Sequence, residues 1–586
     1  MRGTATSLMI LLGALTGLAW GLLPEGSDPA NFRRPMQPNS PNADLILIDG
    51  NIWTGERRPD GKTRTAQAVA IAGGRFTAVG DNSEVLAYQG ERTRVIRLGG
   101  KRVVPGFIDS HVHFIGGGFQ LLSLDLKNVP SEEEFVRRVG DRAKSLPPGQ
   151  WLKGGNWDEE AWPSRKLPTR WQIDRVTPAN PVYLRRYDGH AALANSLALK
   201  LAGVTRETQA PPDGVIVRDP ATGEPTGVLK DGAMGLVAKV IPRASEAEME
   251  EALRAALGEA GRLGVTSVHN ITLDEQTPSG SYWSEVELFR RAERQGWLTV
   301  RQYLVVPIQH VEEFAAAGER RRAESEWIRL RAVKGFADGS LGSATAWMFE
   351  PFDDMPESRG LPMSLMDPPE KMERLVRTAN GAGTHPCIHA IGDRAVSETL
   401  DLFERLGGEN RNDRRFRIEH AQHVRPADFP RFAKLGVIAS MQPYHAIDDG
   451  RWAERRIGAR RARTSYAWRS MLDAGARLAF GSDWPVAPLS PIRGIHAAVT
   501  RATLDGRHPK VWVPEECLTV EEALQAYTLG GAFAAFEEDE KGTISVGKLA
   551  DFAVLSQDIL EIAPARIPEV EVTMTISGGR VVFEED

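Results

Sequence analysis

Two histidines one residue apart end the run VVPGFIDSHVHF, Val103 to Phe114. Side chains at i and i+2 of a strand share a face, so the imidazoles of His111 and His113 point the same way. That is a chelating geometry, although an isolated pair is equally at home as exposed or hydrogen-bonded histidines at a strand end. Further along, Lys334, His389, His420 and Asp483 each interrupt or end an otherwise apolar run. A lone buried His is more often a satisfied core residue than a ligand, and a lone strand Lys is more often an ion-pair residue. Six such interruptions at one end of one fold call for a common site. Imidazole and carboxylate ligands suit Zn²⁺ and related divalent ions.

The elements that must position these residues alternate strand and helix. After Val103 to His113, candidate strands are GVTSVHN (264–270), LTVRQYLVV (298–306), IRLRAVKGFADG (328–339), THPCIHAIGD (384–393), RFRIEHAQHV (415–424), GVIASMQP (436–443) and ARLAFGSDWP (476–485). Helical stretches such as SEAEMEEALRAALGEAGRLG separate several of them, as right-handed βαβ units require. Eight βα units predict a (β/α)8 TIM barrel over 103–535, with its active site at the C-terminal ends of the strands. The interval from about 115 to 263 is too long for one helix and is expected to hold a substructure over the barrel mouth. Short strands joined at glycines fill 44–102 and 536–586, and together they predict one small β-sandwich closed by both ends of the chain.

With 586 residues, 41% hydrophobic and 26% charged, the chain has the composition of a soluble globular protein of two or three structural units. Its 72 basic and 78 acidic residues leave a net charge of −6 and no long basic run, which argues against a nucleic-acid or anionic-membrane partner. Residues 1–23 combine a basic start with an uncharged apolar stretch, the pattern of a secretory signal or an uncleaved membrane anchor. Residues 24–43 are Pro- and Asn-rich and read as a linker. An exported or membrane-anchored catalytic domain is therefore expected, with that segment as its one membrane contact. The two cysteines, Cys387 and Cys517, are expected as buried thiols and not as a disulfide framework.

The motifs PGFIDSHVHF, VKGFADGSLGSATA, HAIGDRAV, RIEHAQH and GSDWPV, with YDGHAALAN in the long insert, resemble the metal-dependent amidohydrolase superfamily. The likeness is closest to its family-3 branch, which includes N-substituted formamide deformylases. It implies that His111, His113 and Asp483 hold one metal ion and that His389 and His420 hold a second. It places Lys334 where many members carry a carboxylated, bridging lysine. The implied activity is hydrolysis of a C–N bond in an amide, N-formyl or N-acyl small molecule by metal-activated water, with Asp483 moving the proton. His190 is the candidate donor to the oxyanion, against a plain structural role as a loop histidine.

Other readings stay open at this point. The substrate could be a cyclic amide or an ester, or the fold could serve a non-catalytic cell-surface binding protein. One ion or two, and monomer or homo-oligomer, are equally compatible with the residues. His423 is expected to orient a ligand, and His269 has no implied ligand role. Trp151, Trp157, Trp162 and Trp171 are read as a substrate wall or, preferentially, as the insert's own core. Cys387 shares a strand face with His389 and reads most simply as a small inner packing residue.

Overall fold

The computed structural model describes residues 42–585, apart from 128, 160–161, 187–190, 212–213, 273–281, 319–323, 343, 408–413 and 507–510. The signal-or-anchor segment and His190 therefore lie outside the described residues.

Eight parallel strands carry the middle of the chain: β1 (Phe107–Val112), β2 (Val265–Ile271), β3 (Arg301–Pro307), β4 (Ile328–Phe336), β5 (His385–Ala390), β6 (Arg417–His420), β7 (Ile438–Met441) and β8 (Arg477–Phe480). Each pairs in parallel with the next, so strand order in space follows strand order in the chain. Just past the ends of β8 and β1, the Asp483 N–H donates to the His111 carbonyl and the His113 N–H donates to the Trp484 carbonyl, both at 2.7 Å. These bonds bring the sheet's two edges together, as the expected TIM barrel requires. β1, β2 and β3 are buried along their whole length, polar positions included: Asp109, Ser110, His111, Ser267, His269 and Asn270 are as buried as the Val and Ile beside them.

The expected first strand, Val103 to His113, is two strands. Arg102–Pro105 pairs with Asn51–Arg57 and Phe552–Leu555 in the terminal sheet, and only after Gly106 does β1 join the barrel. A Cβ at Gly106 would lie 2.1 Å from Thr266 Oγ1, and the Gly106 N–H donates to Asp551 O at 2.9 Å. One glycine thus lets the chain change sheets where no side chain fits.

The terminal sandwich consists of a four-stranded sheet and a six-stranded sheet, the latter drawing strands from both ends of the chain. Leu47, Ile52, Val69, Phe76, Phe552, Val554 and Ile576 share one core between them.

Helix α1 (Phe114–Leu122) follows β1 at once, and α2 (Glu246–Arg262) leads into β2. A capping box at Ser245 and Glu248 starts α2, and Met249, Leu253, Ala256, Leu257 and Ala260 recur at helical spacing on its buried face. A Cβ on Gly118 of α1 would lie 2.0 Å from the Ala252 carbonyl oxygen, so the two helices meet backbone to backbone. Between them stands the insert, a six-stranded sheet from Leu124–Asp125 to Pro225–Asp231. Trp157 and Trp162 are fully buried in its core, donating Nε1–H to Leu184 O and Val129 O at 2.9 and 3.0 Å. For this pair the wall reading gives way to the core reading. Trp151 packs at the edge of a second insert core, and Trp171 is 39% exposed.

Candidate metal centre

The strand ends bring four imidazoles into a row. Ring centroids lie 5.8 Å apart for His113 and His111, 4.9 Å for His111 and His420, and 4.5 Å for His420 and His389. Asp483, carried in by β8, faces the first pair: its Oδ1 is 3.4 Å from His111 Nε2 and 3.2 Å from His113 Nε2. Within this group His111, His420 and Asp483 offer ligand atoms that all lie within 4.8 Å of one another, which is the spacing a single divalent ion bridges.

Local backbone and hydrogen bonding aim these atoms. His420 and Asp483 both adopt left-handed backbone, at φ 73° and 62°, which non-glycine residues seldom do. Such strain is tolerated where surrounding structure fixes it, and it turns each side chain inward at the end of its strand. His111 Nδ1 is bound to Glu419 Oε2 at 2.7 Å and His113 Nδ1 to the Ile271 carbonyl at 2.8 Å. Each ring therefore keeps its Nε2 for the site. Nδ1 of His420 is buried and finds no hydrogen-bond partner, leaving a lone pair that a cation would satisfy. His389 sits beside His420, but its Nε2 lies 3.0 Å from the Gly339 carbonyl, so it faces the group without joining the tight trio.

Lys334 is buried in β4, opposite Cys387 of β5 and not turned to solvent. Its Nζ lies 4.9 Å from the centre of the Phe336 ring. Burial lowers the lysine's pKa, while Glu419 and Asp483 pull it back upward. Burial, reinforced by Lys334, drives the His111 imidazole down to about 4 and His389 to about 3. His420 is likewise held well below its ordinary value by burial and by its histidine neighbours. Burial alone would raise the Asp483 carboxyl, but His111, His113 and His420 hold it well below the usual carboxylate range. Neutral imidazoles around an ionised carboxylate are the protonation states that metal binding needs.

Three residues at the site carry no mark in the sequence reading. Glu419, which fixes His111, is fully buried and paired at 2.6 Å with the buried guanidinium of Arg417. Arg417 in turn contacts His269 Nδ1 at 2.8 Å, the Ser110 carbonyl at 2.8 Å and Ser440 Oγ at 3.1 Å. Thus His269 supports the site through Arg417. The third is His445, on helix α3 (Pro443–Asp449) just beyond β7, whose Nε2 lies 4.0 Å from Asp483 Oδ2. The expectation for His423 is not met: its Nδ1 meets Ser465 Oγ at 2.7 Å and its Nε2 the Gln422 amide at 3.2 Å, not a candidate ligand. Cys387 is a buried, free thiol among Ile271, Tyr303, Val305 and Ala332, pushed up to about 12 by burial, and so an inner packing residue. Cys517 is free but only half-buried.

An acid-stability prediction follows from the buried rings. His111, His389 and His423 titrate at about 4, 3 and 3 in the fold, against 6.5 for an ordinary histidine. Below about pH 6.5 the unfolded chain takes up protons that the folded chain refuses, so stability falls with pH until the folded values are reached. Asp109, Glu285 and Asp338, whose carboxyls burial raises to about 7, act in the opposite sense over the same range, so the effect is isolated by substitution: metal-free His423→Gln is expected to lose less stability between about pH 6.5 and 4 than the native chain does. An equally steep fall in that variant would mean that the His423 ring is already charged within the fold.

The family-level comparisons agree with this geometry. Residues 94–583 match the model of the Amidohydrolase family. The chain is 39% identical to Protein LONG AFTER FAR-RED 3 of Arabidopsis thaliana over 98% of this chain and 95% of that protein. It is 34% identical to the putative amidohydrolase YtcJ of Bacillus subtilis over 85% and 92%, and 30% identical to the N-substituted formamide deformylase of Arthrobacter pascens over 92% and 98%. Among solved structures, an uncharacterized metal-dependent hydrolase from Pyrococcus horikoshii superposes with a TM-score of 0.74 at 27% identity, covering 89% of this chain and 99% of its own. A barrel whose strand ends gather His111, His420 and Asp483, matched over most of its length to these proteins, makes the chain a member of the amidohydrolase family, a metal-dependent hydrolase of C–N bonds.

Proposed function

We propose that the substrate is an N-formyl or N-acyl amine and that Zn²⁺ is the native ion, one or two per chain. The observation that carries the reading is the trio His111, His420 and Asp483, buried, within 4.8 Å, with one nitrogen of His111 tied to Glu419 and Nδ1 of His420 unsatisfied. His113 completes the ligand set on one side and His389 on the other. When bound, a divalent ion supplies Lewis acidity, polarising a carbonyl and acidifying water near neutral pH. Asp483 accepts the proton of the attacking water, since its carboxylate is ionised and already held at the centre of the histidines. Lys334, buried and biased toward the neutral amine, is suited to carboxylation, which would convert a repelling cation into an anionic bridge. His190 is proposed as donor to the carbonyl oxygen from the insert. The small-molecule class is favoured by the likeness to the formamide deformylase.

Residues 1–23 are proposed to direct export or to anchor the chain. Among the described residues no helix is long and apolar enough to cross a membrane.

The test is metal analysis of purified protein with a panel of N-formyl amines, N-acyl amines, cyclic amides and esters. One to two divalent ions per chain and fastest turnover of an N-formyl or N-acyl amine are expected, with loss of turnover on chelation and no uptake of labelled bicarbonate by Lys334→Ala. Metal-free protein that remains active, or preference for the ring or the ester, would overturn the reading.

A further inference from the structure

The two carboxylate oxygens of Asp483 face different neighbours. Oδ1 looks to the Nε2 atoms of His111 and His113, while Oδ2 looks to Nε2 of His445 at 4.0 Å. That last distance is too long for a hydrogen bond. It is the right size for one polar atom set to the side, within about 2.8–3.0 Å of both groups. Nε2 of His445 is itself buried and without a hydrogen-bond partner, although the ring as a whole retains some exposure at the site. A buried, unsatisfied imidazole nitrogen is costly unless something else occupies that position during the working cycle.

The ring is also held firmly. Helix α3 starts immediately after β7, and Asp449, one turn beyond His445, accepts from Gln422 Nε2 at 2.7 Å and from the Tyr466 hydroxyl at 2.6 Å. Its neighbours Ala446 and Ile447 are buried, and the Ile447 carbonyl accepts from the Leu504 N–H at 3.0 Å. On its other side the ring stacks on His420, with planes 11° apart and centroids at 6.3 Å. His445 is thus fixed at the edge of the trio without belonging to it.

We propose that His445 is a catalytic residue, the acid that contacts the leaving nitrogen of the substrate. The inference rests on the C–N hydrolase reading and deepens it. As water adds to the carbonyl carbon, its proton passes to Asp483 Oδ2. When the C–N bond breaks, Nε2–H of His445 protonates the departing nitrogen, and Asp483 returns the proton to Nε2. Water and amide are consumed, acid and amine are formed, and no other reactant is needed. The division of labour matters because a departing alkylamine must gain a proton to leave, whereas a nitrophenolate need not.

The experiment compares His445→Ala and His445→Gln with the native protein, reading metal content, melting temperature and kcat on two substrates of one acyl group, an alkylamide and a nitrophenyl ester. For His445→Ala we expect a fall in kcat of about 10²-fold or more on the alkylamide, less than about tenfold on the ester, with metal and melting temperature unchanged. An equal loss on both substrates, no loss, or loss of metal from both variants would overturn the assignment. If the native protein hydrolyses no amide in the panel, the substrate reading falls instead. The assignment is then decided by titrating acetohydroxamate into zinc-loaded protein, where His445→Ala should bind about tenfold more weakly and equal affinity would reject it.

Discussion

Asp483→Asn is expected to lower kcat by about 10³- to 10⁴-fold, the upper range for losing a positioned acid–base group. The change is nearly isosteric, and asparagine tolerates the left-handed backbone that Asp483 adopts at φ 62°, so the fold should persist. What disappears is charge. The native oxygen that lies 3.2 and 3.4 Å from His113 and His111 becomes part of a neutral amide, a poor ligand and no base. Metal content should fall with activity, and both are measured on the same preparation. A variant retaining more than about a tenth of native kcat would remove Asp483 from the proton path.

Glu419→Ala is expected to damage both stability and metal binding. It leaves the Arg417 guanidinium buried without its counter-charge, a loss of about 3–5 kcal/mol in denaturant titrations. It also frees His111 Nδ1, and loss of such an outer hydrogen bond typically weakens metal affinity about 10- to 100-fold. The pair Arg417→Met with Glu419→Leu, which leaves no acceptor for His111 Nδ1, separates the two effects. Stability should recover in part once no buried charge is stranded, while metal affinity stays low. Recovery of affinity as well would mean that Glu419 acts only on the fold.

The barrel was legible because short strand-forming runs rich in Val, Ile and Leu alternate with helical stretches along the chain, the order that a parallel sheet with crossover helices imposes. The histidines were legible because they break such runs at their ends. Gly106 was not, since a strand that changes sheets looks in sequence like one longer strand. The period of two does mark Arg417 and Glu419, two opposite charges on one face of a four-residue strand with Ile418 between them. That alternation is the signal that could have found them. His445 offered no comparable mark: it lies on a short helix beyond β7, and only the three-dimensional approach of α3 to β8 brings it near Asp483. His423 misled for the reverse reason, because three positions past His420 the chain has already left the strand and turned away.

The sheet shared by the two ends of the chain sets the order in which this protein can be made. Strand Arg102–Pro105 pairs with Phe552–Leu555, about 450 residues later in the chain, and the buried Arg102 waits for Asp558 on the same late segment. At about 5–20 residues per second, the ribosome leaves that strand without its neighbour for roughly 20 to 90 seconds. Throughout that time an apolar edge with free backbone groups stands open to other chains. Nascent chains truncated before Asp551 should therefore depend on chaperone protection in a way that completed chains do not.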